Sequence, residues 1–223
     1  MTDGPLLLLE TSGRTGFVAL AVGSAVVAER RLDESRRNAR DLAPFVAELL
    51  AGHGLTARDL AGIVVGLGPG SYTGLRVGLI SAKVLAYVTG CALLGIPTFD
   101  VLARQAPADA GRVEVLADAQ KDKVYHQAFV AGTAGPLTVI AWDVWAAACP
   151  AGTIVTGPGA TKYPDRLPAG VTVLPAEVRQ PTPAGLLSAG LARLERGERD
   201  DPFALEPLYL RPSSAEEQWD ARR

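Results

Sequence analysis

The chain has 223 residues, 48% hydrophobic and 21% charged, which is enough for a sizeable core in one large domain or two small lobes. A formal net charge of −2 excludes a global basic field for nucleic acid, so an RNA contact has to be local or supplied by a partner. No stretch reaches the roughly 18 apolar residues of a spanning helix, and Met1–Pro5 lacks a basic leader region, so a cytoplasmic protein is expected.

Leu6–Glu10 has the form of a buried strand, closed by the turn formers Thr11-Ser12-Gly13. Phe17–Val22 and Ala25–Leu32 flank Gly23-Ser24, a two-residue hairpin signal with glycine first. In the second of these strands Val27, Glu29 and Arg31 share a face, which suits an edge or a wet surface. Leu42, Phe45, Val46, Leu49 and Leu50 then fall at helical spacing. Pro44 restricts that helix to a start near Arg40 or Asp41, and His53-Gly54 closes it. Ile63–Gly66 is the next strand, Thr73 to about Tyr87 the next helix, and Cys91–Leu94 a short strand. Thr98 is placed to cap a helix over Thr98–Arg104.

Pro107–Arg112 has the composition of a hinge, and beyond it the order of elements partly repeats. Val113–Asp118 is a buried strand ending in an acid, followed by strands at Lys123–Val130 and Leu137–Ala141. A helix near Asp143–Ala148, the strand Thr153–Thr156, the turn Gly157-Pro158-Gly159, a strand at Val171–Leu174 and a helix from Thr182 to Arg196 complete the second half. Each half opens with three strands and each has a strand ending in Gly-Pro-Gly. The expected fold is a duplicated two-lobed α/β protein with mixed sheets flanked by helices, in place of one doubly wound sheet. Its lobes are residues 1–106 and 112–205, with a C-terminal segment at 206–223.

The segment Gly66–Gly78, "GLGPGSYTGLRVG", joins a strand to a helix. Such a junction exposes backbone N–H groups at the positive end of a helix, so it suits either an anion or a capped turn. Gly68 and Gly70 permit close backbone approach, and Ser71 can cap. The spacing matches neither a Walker A loop nor a dinucleotide fingerprint. Within the helix, Gly74, Gly78, Ala82 and Ala86 recur every four residues, beside Leu75, and form a smooth ridge. Such a ridge packs closely against the chain's own sheet or against a helix of another subunit.

Two histidines, His53 and His126, stand too far apart for a His-x-x-x-His metal pair. Cys91 and Cys149 form no metal-type pair and are expected to be reduced thiols. Glu10 and Asp118 end the first strand of each half, where a two-lobed nucleotide-binding fold would face magnesium-bound phosphates. The arginines Arg30-Arg31, Arg36-Arg37 and Arg40 are interrupted by Glu29, Asp33 and Glu34, and fit a solvated face. Trp219 stands in a charged C-terminal segment expected to fray.

"GPGSYTGLRVG", preceded by "IVVGL" and followed by "AKVLAYVTGCALLGIPTFDVLA", closely resembles the bacterial tRNA threonylcarbamoyladenosine biosynthesis protein TsaB (YeaZ) family. "LLLLETSGRTGFVAL", "LADAQKDKVY" and "EPLYLRP" agree in order, so the resemblance covers most of the chain. It implies a fold of the actin, Hsp70 and sugar-kinase type. It further implies a non-catalytic subunit that pairs with a catalytic paralogue, TsaD, and works with the ATPase TsaE. The complex uses ATP and magnesium to place threonylcarbamoyl on adenosine beside the anticodon of tRNA, and tRNA is reached through the complex. No cofactor is expected for this chain itself, and its sticky helix ridge suits a homodimer when the partner is missing. On the resemblance, the partner interface falls on Leu42, Phe45, Val46, Leu49, Gly74, Leu75, Gly78, Ala82 and Ala86. A remnant nucleotide or anion site would comprise Glu10, Thr11, Gly68, Gly70 and Ser71. Three positions depart from the family pattern: Glu10 for Asp, Gln120 for Arg and Asn38 for His, each weakening nucleotide chemistry here. The alternative is a phosphotransferase or ATP hydrolase of the same fold, using Glu10 and the Ser71 loop. A metallopeptidase would need metal ligands that the two scattered histidines do not supply.

Overall fold

The computed structural model describes residues 4–32 and 38–211. The arginine pair Arg36-Arg37 and Trp219 lie outside the described residues, as do the side chains of Asn38 and Arg40. Eleven strands and six α-helices are seen among the described residues. In the first half these are β1 (Leu6–Glu10), β2 (Gly16–Val22), β3 (Ala25–Leu32), α1 (Asn38–Ala51), β4 (Gly62–Gly66), α2 (Tyr72–Thr89), β5 (Ala92–Ile96) and α3 (Thr98–Arg104). The second half carries β6 (Arg112–Asp118), β7 (Lys123–Val130), β8 (Thr133–Ala134), β9 (Thr138–Ala141), α4 (Trp142–Ala148), β10 (Ile154–Thr156), α5 (Pro158–Lys162), β11 (Thr172–Val173) and α6 (Pro183–Glu195).

The first sheet has the order β3-β2-β1-β4-β5. β1 pairs antiparallel with β2 and parallel with β4, so the sheet is mixed. The second runs β11-β10-β6-β7, with β8 and β9 both on β7. β6 pairs antiparallel with β7 and parallel with β10, repeating the relation of β1 to its neighbours. The duplicated α/β architecture with mixed sheets is therefore the one observed.

β1 is buried on both faces, which is why it is a run of leucines with no alternation. Leu7 and Leu9 point to the layer holding Leu42, Leu49, Leu79 and Ala82 of α1 and α2. Leu6 and Leu8 point to the opposite layer, with Val101 of α3 and Leu186 of α6. Gly23 turns the β2–β3 hairpin at φ 58°. β3 forms the sheet edge and exposes Val27, Glu29 and Arg31 as its alternation required.

Three local expectations are corrected. α1 begins at Asn38, so Pro44 lies inside the helix rather than in its first turn. It is tolerated on the exposed face, where the carbonyl it leaves unbonded can meet water. Thr98 is the first residue of α3, whose N-cap is Pro97, and its hydroxyl is spent elsewhere. The helix expected to complete the second half, α6, packs on the first sheet, with Gln105, the residue that ends α3, accepting from Thr182 at the α6 N-cap. α3 itself is wedged between the sheets, Val101 facing the first and Phe99 and Leu102 the second.

Candidate functional site

The end of β1 and the β4–α2 loop meet in a closed polar knot. Glu10 is buried, and its Oε1 accepts from the Ser12 N–H at 2.6 Å. Its Oε2 lies 3.1 Å from the Thr98 hydroxyl, which also reaches Ser12 Oγ at 3.3 Å and accepts from the Gly68 N–H at 3.1 Å. The Ser71 N–H donates to the Ser12 carbonyl at 2.7 Å, and Ser71 Oγ caps α2 by accepting from the Gly74 N–H at 3.2 Å. Burial pushes the Glu10 carboxyl above its ordinary value; hydrogen bonds from Ser12, Thr98 and Thr11 pull the other way without cancelling it. Both Glu10 carboxyl oxygens thus have partners within the chain, Oε1 at the Ser12 N–H and Oε2 at the Thr98 hydroxyl.

Glycine is required here by proximity. A Cβ on Gly66 would lie 2.8 Å from the Glu10 carboxyl carbon, and one on Gly70 the same distance from the Ser12 carbonyl carbon. Glu10, Thr11, Gly68, Gly70 and Ser71 are thus brought together, but their polar groups face one another. The N–H groups of Gly68, Ser71 and Gly74 are all engaged within the knot.

The small-residue ridge of α2 also faces inward. Thr11 Oγ1 donates to the Gly74 carbonyl at 2.8 Å, and a Cβ on Gly78 would collide with that same hydroxyl. Gly74, Leu75, Gly78, Ala82 and Ala86 are all buried, as are Leu42, Val46 and Leu49; Phe45 is half-buried. Of the two readings the ridge allowed, packing within the chain is the one this structure displays, with Thr11 and the core filling the space beside Gly74 and Gly78.

The opposite face of α2 is the one left open. Ile80, Val84, Tyr87 and Val88 are 59%, 56%, 68% and 69% exposed, and Phe203, 77% exposed, stacks edge-on against Tyr87 at 5.6 Å. Positions 80, 84, 87 and 88 fall on one side of a helix, and a run of large apolar groups exposed in this way marks a contact surface. Sequence reasoning missed it because the ridge drew attention to glycine spacing. The available signal was a helix apolar on both faces, with small residues on one and large ones on the other.

In the second lobe, Asp118 accepts from Lys162 Nζ at 2.5 Å and from the Gln120 N–H at 2.9 Å. Gln120, Lys121 and Asp122 follow with φ of 62°, 50° and 55°, three successive left-handed residues without a glycine. His126 is drawn into a different cluster. Glu114, buried on the face covered by α4, is bonded by His126 Nε2, by Arg112 Nε at 2.8 Å and by Trp145 Nε1 at 3.2 Å. Burial pushes Glu114 up, but bonds from His126, Trp145 and Arg112 with the His126 charge outweigh it, holding the carboxyl below its ordinary value. His53 closes α1 as an exposed residue, with Nδ1 2.9 Å from the Leu49 carbonyl. Among the described residues no three His, Cys, Asp or Glu side chains cluster as metal ligands. No helix among them is long and apolar enough to cross a membrane.

Residues 25–135 match the family model described as TsaD, tRNA N6-adenosine threonylcarbamoyltransferase. An uncharacterized protein of Mycobacterium tuberculosis is 34% identical over 193 residues, covering 85% of this chain and 82% of the relative. The tRNA threonylcarbamoyladenosine biosynthesis protein TsaB of Bacillus subtilis is 32% identical over 120 residues, 54% of this chain and 52% of that protein. YeaZ from Pseudomonas aeruginosa superposes with a TM-score of 0.77 at 27% identity, covering 93% of this chain and 100% of the other. Sequence and superposition agree, and the chain belongs to the TsaB/YeaZ-like family.

Proposed function

We propose that this chain is a non-catalytic subunit of the machinery that places threonylcarbamoyl on tRNA adenosine, pairing with a TsaD-like catalytic subunit through the outer face of α2. The observation that carries this is the row Ile80, Val84, Tyr87 and Val88, large apolar side chains standing in solvent on a helix whose other face is packed. The TsaD family model spans α1 and α2 of this chain. A partner built on the same pattern presents an equivalent helical face, and two such faces suit a quasi-two-fold contact.

The chemistry fits a helper. Glu10, the acid at the end of β1, is buried and satisfied, and Ser71 is occupied in capping α2. In this reading ATP and magnesium serve the complex, a TsaE-like ATPase and tRNA join through it, and this chain needs no cofactor of its own. A second copy of the chain is the competing occupant of the α2 face. The test is depletion of the protein in its native cell with measurement of threonylcarbamoyladenosine in bulk tRNA, then complementation. Loss of the nucleoside, restored by wild type but not by Val84→Glu, supports the proposal. Undiminished nucleoside overturns it.

A further inference from the structure

The segment after α6 does more than end the chain. Asp200 first ties it to the free edge of β5: its N–H donates to the Leu93 carbonyl at 2.8 Å and its Oδ2 accepts from the Gly95 N–H at 2.7 Å. From there it runs antiparallel to α2, touching it about once per turn. Phe203 stacks on Tyr87, the Leu205 carbonyl accepts from Lys83 Nζ at 3.0 Å, and Tyr209 meets Arg76 and Tyr72. Arg76 Nε donates to the Tyr209 hydroxyl at 3.2 Å, its guanidinium lies 4.2 Å over the Tyr72 ring, and the two tyrosine rings are 4.6 Å apart. The Leu208 N–H donates to the Leu67 carbonyl at 2.9 Å, pinning the segment to the glycine loop as well.

Three residues beyond Leu208, Arg211 crosses to the second lobe and donates to the Ala119 carbonyl. Ala119 opens the β6–β7 turn whose next three residues are the left-handed Gln120, Lys121 and Asp122. The turn is bonded within its own lobe by the Ala119 N–H to the Lys123 carbonyl, the Lys123 N–H to the Gln120 carbonyl, the Trp142 N–H to the Asp122 carbonyl, the Gln120 N–H to Asp118 Oδ1 and Arg166 Nη1 to Asp122 Oδ1. Arg211 adds a restraint from outside it. Non-glycine residues kept in the left-handed region need surroundings that over-determine them. One of those restraints comes from a segment anchored on α2.

We propose that residues 200–211 form a strap through which a partner seated on the outer face of α2 sets the conformation of the β6–β7 turn in the other lobe. This rests on the docking proposed above, since Phe203 of the strap stacks on Tyr87 of the apolar face. A partner that covers Ile80, Val84 and Tyr87 also touches Phe203, and a shift of the strap along α2 reaches Ala119 through Arg211.

Amide hydrogen exchange on the full chain tests the link, free and saturated with purified TsaD-like subunit, for wild type, Arg211→Ala and Val84→Glu. In the free chain, Arg211→Ala is expected to speed exchange at residues 119–123 about tenfold and to leave α1 and β1 unchanged, which also verifies folding. In wild type the partner is expected to slow exchange at 119–123, and Arg211→Ala is expected to bind the partner equally well without that slowing. Unchanged exchange at 119–123 in free Arg211→Ala, or partner protection that survives the substitution, overturns the strap. Undiminished partner binding by Val84→Glu overturns the docking, and that result comes from a separate sample.

Discussion

Thr11 Oγ1 donates to the main-chain carbonyl of Gly74 across the junction of β1 and α2, and the same oxygen fills the space beside Gly78. Thr11 therefore explains two glycines, its hydroxyl filling the space beside Gly78 and its main-chain carbonyl oxygen the space beside Gly74, and it commits the small-residue face of α2 to the interior.

Adding a methyl at Gly78 forces a collision with Thr11. Gly78→Ala is expected to cost about 1–3 kcal/mol of unfolding free energy, as overpacked cores do, measured by urea denaturation. Gly78→Arg is expected to abolish folding. Thr11→Ala removes the clashing hydroxyl, so the Thr11→Ala/Gly78→Ala pair is expected to lose less than the sum of the singles. Strict additivity would show that the contact is not what holds the ridge.

The outer face behaves differently. Val84→Glu replaces a half-exposed apolar side chain, and its stability is expected to stay within about 0.5 kcal/mol of wild type, read from the same denaturation midpoints. A large loss would mean that this face is part of the fold.

Glu10 carries a pH signature. Its carboxyl is raised by burial, so the protonated form is the one the fold prefers. Stability linked to it is fully present below the ordinary carboxylate range and is lost as pH rises through the folded value. Glu10→Gln keeps an acceptor for the Ser12 N–H and removes this dependence. Urea midpoints are expected to favour Glu10→Gln progressively more above the ordinary glutamate value of 4.5. A gap independent of pH contradicts the assignment.

Glu114 titrates with the opposite sign. Its folded value lies below the ordinary one, so its contribution is present above that range and lost as pH falls through the folded value. His126→Ala removes one of three partners of a buried carboxylate and leaves Arg112 and Trp145, so the cost is expected to be about 1.5–3 kcal/mol, as for a hydrogen bond to a charged group. It is also expected to move acid unfolding to higher pH, followed by circular dichroism. Unchanged acid unfolding would show that His126 is dispensable to the cluster.

Much of the fold was legible because its signals are local. Leu6–Glu10, Lys123–Val130 and the Gly23-Ser24 hairpin fall where their pattern put them. Apolar runs and turn residues act within a few positions. What stayed hidden depends on distant chain. Thr98 looks like a cap, yet its hydroxyl is taken by Glu10 and Ser12, more than eighty residues away. α6 follows the second sheet in sequence, but Leu186 and Leu187 complete the core under β1. The ridge was visible from its spacing, whereas the direction it faces was fixed only by Thr11.

The central claim is that a TsaD-like subunit binds the outer face of α2. Titration calorimetry of purified TsaD-like subunit into wild type and folded Val84→Glu measures it most directly. The account predicts binding by wild type and at least a tenfold weaker Kd for the variant. Equal affinity for the two proteins would contradict it.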